Sequence, residues 1–133
     1  MGFPLPPIQV TGRGKPFFPD SPVHFSITHT PRHVFCALSS VPVGIDAEEA
    51  DRKISLRLAD KILSPAEKAR FAGAADPRRA LLTFWVLKEA LVKYTGEGLR
   101  GYPDFTDFSP EDPRVTLRDG CLLAVIKEDD HVF

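Results

Sequence analysis

Phe84-Trp85-Val86-Leu87-Lys88-Glu89-Ala90-Leu91-Val92-Lys93 is apolar almost all round, yet it carries two lysines and a glutamate at its centre. With Leu81, Leu82 and Tyr94 beside them, these residues leave almost no polar face, so the segment predicts a helix buried against another layer. Upstream, Val43-Gly44-Ile45-Asp46-Ala47-Glu48 reads as a strand with two carboxylates two residues apart. Side chains at that spacing share a face, about 6.6 Å apart along the strand. Asp46 and Glu48 therefore project together, while Val43, Ile45 and Ala47 take the opposite, core-facing side. Charge buried without a partner is expensive, and such groups neutralise one another or hold an ion.

The surrounding chain supplies the rest of an α+β fold. Val23-His24-Phe25-Ser26-Ile27-Thr28 alternates as a half-buried strand does, Thr30-Pro31-Arg32-His33 reads as a turn, and Val34 to Leu38 as the returning strand. With Val43 to Glu48 this predicts an antiparallel meander. Ile54, Leu58 and Ile62 share a helical face, predicting a helix over 54–63. Ser64-Pro65-Ala66-Glu67 combines a capping box with proline at the first helical position, and Asp76-Pro77 repeats the start signal for the long helix, which runs from Ala80 to Tyr94. Gly96 is a suitable terminator, and Gly98, Gly101 and Pro103 mark a loop. Asp119-Gly120 between Val115-Thr116-Leu117 and Cys121 to Ile126 predicts a hairpin. The expected architecture is an antiparallel sheet packed against a long central helix.

Size and charge bound the function. The 133 residues make one domain most economically, 1–133, with residues 1–22 as an irregular arm because they hold six of the 13 prolines. A net charge of −1 gives no electrostatic case for nucleic acid or a membrane surface, and no apolar run reaches the length of a span. Met1 to Pro7 lacks the basic and apolar regions of a secretory signal, so a cytoplasmic protein is expected, with Cys36 and Cys121 as reduced thiols. Cys36 reads as a core residue. His29 and His33 together do not read as a zinc site, because the proline turn between them gives no helical ligand spacing and no cysteine joins them.

Trp85, Glu89 and Lys93, four residues apart, form one stripe on the helix, each about 6 Å from the next, with Lys88 roughly 100° round from Glu89. If the helix crosses the sheet, Glu89 completes a three-carboxylate cluster with Asp46 and Glu48. Magnesium prefers oxygen ligands and pairs a few carboxylates with substrate phosphates, leaving Lys93 and Lys88 to neutralise the phosphate oxygens. A Glu–Lys pair at this spacing is ordinarily a solvated surface pair. The apolar surroundings of this helix argue against that reading.

Gly14-Lys15-Pro16, Phe25-Ser26-Ile27-Thr28-His29-Thr30, Gly44-Ile45-Asp46-Ala47-Glu48, Trp85-Val86-Leu87-Lys88-Glu89-Ala90-Leu91-Val92-Lys93 and Gly96-Glu97-Gly98-Leu99 follow one another in this order. The series resembles the 4′-phosphopantetheinyl transferase superfamily, of the surfactin-synthetase-activating (Sfp) type, over residues 14–99. The resemblance implies transfer of the phosphopantetheine arm of coenzyme A to a serine of an acyl or peptidyl carrier protein. It implies Asp46, Glu48 and Glu89 as magnesium ligands, and Lys93 on the pyrophosphate and leaving group. Lys88 would assist or contact the coenzyme, and Lys15 and His29 its phosphates, with Thr28 as a hydroxyl donor beside His29. Glu89, directly or through a metal-bound water, is the implied base for the serine. By parity with Val23, Phe25 and Ile27, His29 also reads as a hydrogen-bonded histidine at the end of a core-facing strand.

The family type is a pseudo-dimer of two similar halves, whereas only 13 residues precede Gly14 here. Positions in that region that grip the adenine and 3′-phosphate therefore have no counterpart. Two expectations follow: a homo-oligomer that restores the missing half, or a truncated or degenerate member that binds coenzyme A or a carrier protein without catalysis.

Overall fold

The computed structural model describes residues 23–95 and 107–127, together with the backbone of two short strands, β1 (Gln9–Val10) and β2 (Pro16–Phe17). These two pair antiparallel, so the proline-rich arm, expected to be irregular, contains a minimal ladder. Strands β3 (His24–His29) and β4 (Val34–Ser39) form the predicted hairpin, turned through a Thr30 backbone N–H that donates to the His33 carbonyl at 2.8 Å.

The meander does not continue. Strand β5 (Val43–Glu49) pairs along its whole length with β7 (Cys121–Lys127), which also pairs with β6 (Val115–Arg118), giving the order β5-β7-β6. Asp119 and Gly120, both at positive φ (52° and 78°), form the tight turn between β6 and β7 that Asp-Gly predicts. The hairpin instead reaches the edge of β5 through side chains. The N–H groups of Ile45 and Ala47 donate to the hydroxyls of Ser26 (3.0 Å) and Thr28 (3.3 Å). That changes the expected polarity of β3 beyond Phe25, which is buried as expected: Ser26 and Thr28 are buried, whereas Ile27 and His29 are exposed. Unpaired edge N–H groups demand acceptors, and two hydroxyls at strand spacing supply them. Cys36, expected in the core, is exposed on β4.

The predicted helix over 54–63 is only a 3-10 turn, Leu56–Leu58, running into the four-residue α1 (Ala59–Ile62). Helix α2 (Pro65–Ala72) has the full capping box: Glu67 N donates to Ser64 Oγ and Ser64 N to Glu67 Oε1. Helix α3 (Pro77–Thr95) starts at the Asp76-Pro77 signal, where Asp76 Oδ1 accepts from Arg79 N, three residues ahead of the apolar pattern that begins at Ala80. Gly96, Gly98, Gly101 and Pro103 lie outside the described residues. No helix among the described residues is long and apolar enough to cross a membrane.

Both faces of β5 are covered. Val43, Ile45 and Ala47 join Leu123 in a cluster closed by Phe35 and Ala37 of the hairpin. The other face meets α3, whose Leu81, Leu82, Phe84, Val86, Leu87, Ala90 and Leu91 pack with Leu122, Ala124 and Ile126 of β7. Gly44 sets the separation, because a Cβ there would overlap the Ala90 carbonyl and the Tyr94 N–H and lie 2.7 Å from Tyr94 Cα. Since helix backbone cannot step aside locally, Gly44→Ala should push α3 off the strand. We expect a loss of about 3 kcal/mol, the upper part of the range for overpacking, read from the urea midpoint. A change below about 0.5 kcal/mol would mean the helix is not held this close.

Candidate active site

The even face of β5 carries Gly44, Asp46 and Glu48, and across it α3 lays the Trp85, Glu89 and Lys93 stripe. Trp85 Nε1 donates to Glu48 Oε1 at 3.2 Å, and Lys93 Nζ donates to Asp46 Oδ1 at 3.2 Å. Lys93 also reaches the Ile27 carbonyl at 3.4 Å, so one ammonium ties α3 to β5 and β3. Glu48 has a second partner in Arg52, four residues on.

Asp46 is the most constrained of these acids. It is 8% exposed. Its Oδ1 takes both Lys93 and the Thr28 hydroxyl (3.3 Å), while Oδ2 is buried with no hydrogen-bond partner. Burial raises its pKa from the ordinary 3.8 to about 7; Lys93 opposes this, and the charges of Glu89 and Glu48 add to it. Half-buried Glu89 is raised for the same reasons, desolvation first, with Lys93 opposing and Glu48 adding. Asp46 feels the charges of both Glu89 and Glu48, and Glu89 that of Glu48, with Lys93 set against Asp46 and Glu89 and Arg52 against Glu48. The donor set is all oxygen, the charge is in excess, and one buried oxygen is orphaned. Oxygen donors are what a hard divalent cation takes, although among the described residues the trio whose ligand atoms lie within 4.8 Å of one another is His33, Glu49 and Cys121 rather than these three acids.

The other expected site residues have different fates. Thr28 sits beneath Asp46, accepting from Ala47 N and donating to the carboxylate, which makes it a positioning residue. His29 is exposed at the end of β3. Lys15 lies outside the described residues. Lys88 is turned away from the carboxylates: it is 5% exposed, its Nζ stands 2.7 Å from Glu67 Oε1, and it lies 5.7 Å from the Phe108 ring centroid. The 100° step from Glu89 to Lys88 carries the lysine into the core against α2. Sequence reasoning missed Ser26, Arg52 and the indole N–H of Trp85. Only Trp85 left a signal, its place on the Glu89–Lys93 stripe.

Comparison with known proteins identifies the family. Residues 42–126, more than half of the chain, match the family model described as the 4′-phosphopantetheinyl transferase superfamily. The chain is 35% identical over 114 residues to the 4′-phosphopantetheinyl transferase psf-1 of Bacillus pumilus, covering 83% of this chain and 48% of that protein. It is 37% identical over 89 residues to the 4′-phosphopantetheinyl transferase Sfp of Bacillus subtilis (strain 168), covering 65% and 39%. It is 33% identical over 121 residues to a 4′-phosphopantetheinyl transferase of Bacillus subtilis, covering 89% and 50%. The chain thus spans about half the length of the curated relatives it matches, or less.

Proposed function

Because the chain belongs to the 4′-phosphopantetheinyl transferase superfamily, we propose that it moves the 4′-phosphopantetheine group of coenzyme A onto a serine of an acyl or peptidyl carrier protein, in a magnesium-dependent reaction. The observation that carries this reading is Asp46, a buried carboxylate with one oxygen unpartnered, sharing its field with Glu48, Glu89 and Lys93.

Asp46, Glu48 and Glu89 hold the magnesium, which when bound supplies positive charge against the coenzyme A pyrophosphate. The chain's own side chains do the rest. The carrier serine Oγ attacks the phosphorus bearing the pantetheine arm. The bond from that phosphorus to the bridging oxygen breaks, and adenosine 3′,5′-bisphosphate leaves with the electron pair. The hydroxyl proton passes to Glu89, whose affinity for protons desolvation raises above that of an ordinary glutamate. Lys93 donates to the pyrophosphate and offsets the charge that develops on the leaving group. Lys15 and exposed His29 take coenzyme phosphates, and Thr28 fixes Asp46. Lys88 acts through the α2–α3 core. Phosphoryl transfer relies on positioning and electrostatics, so this set needs no covalent nucleophile.

The test is intact-mass analysis of an apo carrier protein after incubation with coenzyme A, magnesium and this chain. A phosphopantetheine adduct is expected. Coenzyme A binding without an adduct on carriers of fatty acid, polyketide and peptide synthesis would favour a binding module instead.

Asp46 also sets a pH signature. Between about pH 4 and 7 the folded state keeps a proton that the unfolded chain has released, so metal-free stability falls as pH rises through that window. Asp46→Asn should remove this slope and raise the melting temperature at pH 8. Magnesium requires the ionised form, so its affinity should rise about tenfold from pH 6 to pH 8, seen as a growing thermal shift. A magnesium response independent of pH would remove Asp46 from the ligand set.

A further inference from the structure

Three groups outside the proposed catalytic cluster converge on the opposite face of β5. Glu49 and Cys121 are directly opposed cross-strand partners on β5 and β7, and His33 enters from the turn of the β3–β4 hairpin. His33 Nδ1 is 3.1 Å from Glu49 Oε2, Cys121 Sγ is 3.2 Å from the same oxygen, and Cys121 Sγ is 3.4 Å from His33 Nδ1. Cys121 and Glu49 are buried and His33 is half-buried. We propose that His33, Glu49 and Cys121 form a binding site for a borderline-soft divalent cation of the zinc class, clasping the hairpin turn to the β5–β7 sheet.

The spacing suits the ion. Tetrahedral zinc, with bonds of about 2.0–2.1 Å to nitrogen and oxygen and about 2.3 Å to sulfur, places such ligand pairs roughly 3.3–3.6 Å apart. Movements of a few tenths of an ångström bring these three atoms to that separation. Sulfur and imidazole select a zinc-like ion over magnesium, which keeps this site distinct from the all-oxygen cluster on the other face of β5. Outer partners hold the ligands in place. Arg32 pairs with the other carboxylate oxygen, Oε1, at 2.8 Å, leaving Oε2 aimed at the cluster. The Thr30 hydroxyl donates to Oε2 and accepts from the backbone N–H of His33 at 3.0 Å and of Arg32 at 3.3 Å. A groove of about 410 Å³ lined by Pro31, Arg32, Glu48, Glu49, Asp51 and Arg52 opens beside Glu49 and gives an ion a way in.

A nucleophilic thiol is the competing use of Cys, His and an acid, and the geometry disfavours it. A relay needs thiol and carboxylate on different imidazole nitrogens, whereas Sγ and Oε2 here face the same Nδ1. Binding the ion replaces the Cys121 S–H proton, which goes to solvent, by a metal–thiolate bond, with no oxidation.

Chelator-stripped protein titrated with cobalt(II) tests this. One equivalent per chain should bind with a thiolate-to-cobalt charge-transfer band, and zinc should displace it. Cys36→Ser, at the exposed thiol, should leave the band intact. Cys121→Ser should abolish it, and His33→Gln should weaken cobalt binding more than tenfold. Absence of the band in the parent protein, or its survival in Cys121→Ser, overturns the site. If Cys121→Ser does not fold, half-buried His33 decides: unchanged cobalt affinity in folded His33→Gln overturns it equally.

Discussion

Glu89→Gln is expected to reduce phosphopantetheine transfer by about 10²–10⁴-fold while leaving the protein folded. The substitution keeps the shape of a half-buried side chain and removes only its capacity to carry charge and accept a proton. Both proposed duties fail together, since a neutral amide is a weak ligand for a hard cation and cannot take the serine proton. The neighbours respond in a known direction. Glu89 charge is one of the influences raising the Asp46 pKa, so Glu89→Gln should lower it and shift the magnesium response to lower pH. Single-turnover intact-mass measurements on a carrier protein, with circular dichroism as the folding control, read both outcomes. Transfer above a tenth of the parent rate would exclude Glu89 as base and as ligand.

The largest expected loss of stability comes from Glu67→Ala, about 3–5 kcal/mol in chemical denaturation, because it breaks a buried ion pair and removes the acceptor of two backbone N–H groups. Glu67 is fully buried and serves three donors: Lys88 Nζ (2.7 Å) and Ser64 N (2.9 Å) at Oε1, and Phe108 N (2.9 Å) at Oε2. Removing it takes the Glu67 counter-charge from the buried Lys88 ammonium and releases the start of α2. Replacing the pair together, Glu67→Leu with Lys88→Met, should recover much of the loss, because an apolar pair of similar volume has no charge to desolvate. Should Glu67→Ala alone cost under 1 kcal/mol, the carboxylate is not what neutralises Lys88. The double variant separates the two lysines of α3: with transfer retained, Lys88 serves the core, and only Lys93 serves the reaction.

Much of this was legible along the chain. The α2 capping box, the Asp76 cap of α3 and the Asp119-Gly120 turn all depend on residues within a few positions of one another, and each stands where its motif indicates. The acidic pair and the Trp85–Glu89–Lys93 stripe were readable for the same reason, since strand and helix periods set which side chains share a face. The pairing of β5 was not. Nothing local tells Val43–Glu49 to take β7, whose residues are more than 70 positions away, in place of adjacent β4. The polarity of β3 depended on the same unseen fact, because Ser26 and Thr28 turn inward only when an edge of β5 needs acceptors.

Lys88 and Cys121 show where local reading stops. The helical period fixes that Lys88 stands about 100° from Glu89, but which element fills that direction belongs to packing, and it is α2 with Glu67. The sequence reading that no cysteine joins His33 fails because Cys121, 88 residues on, arrives through the β5–β7 register. By itself the sequence determined the helices that carry caps, the two faces of β5 and the Trp85–Glu89–Lys93 stripe, since these follow from short-range sterics and periodicity. Only the tertiary structure decided which of those faces meet, because apolar burial is indifferent to chain distance and settles partners by fit alone.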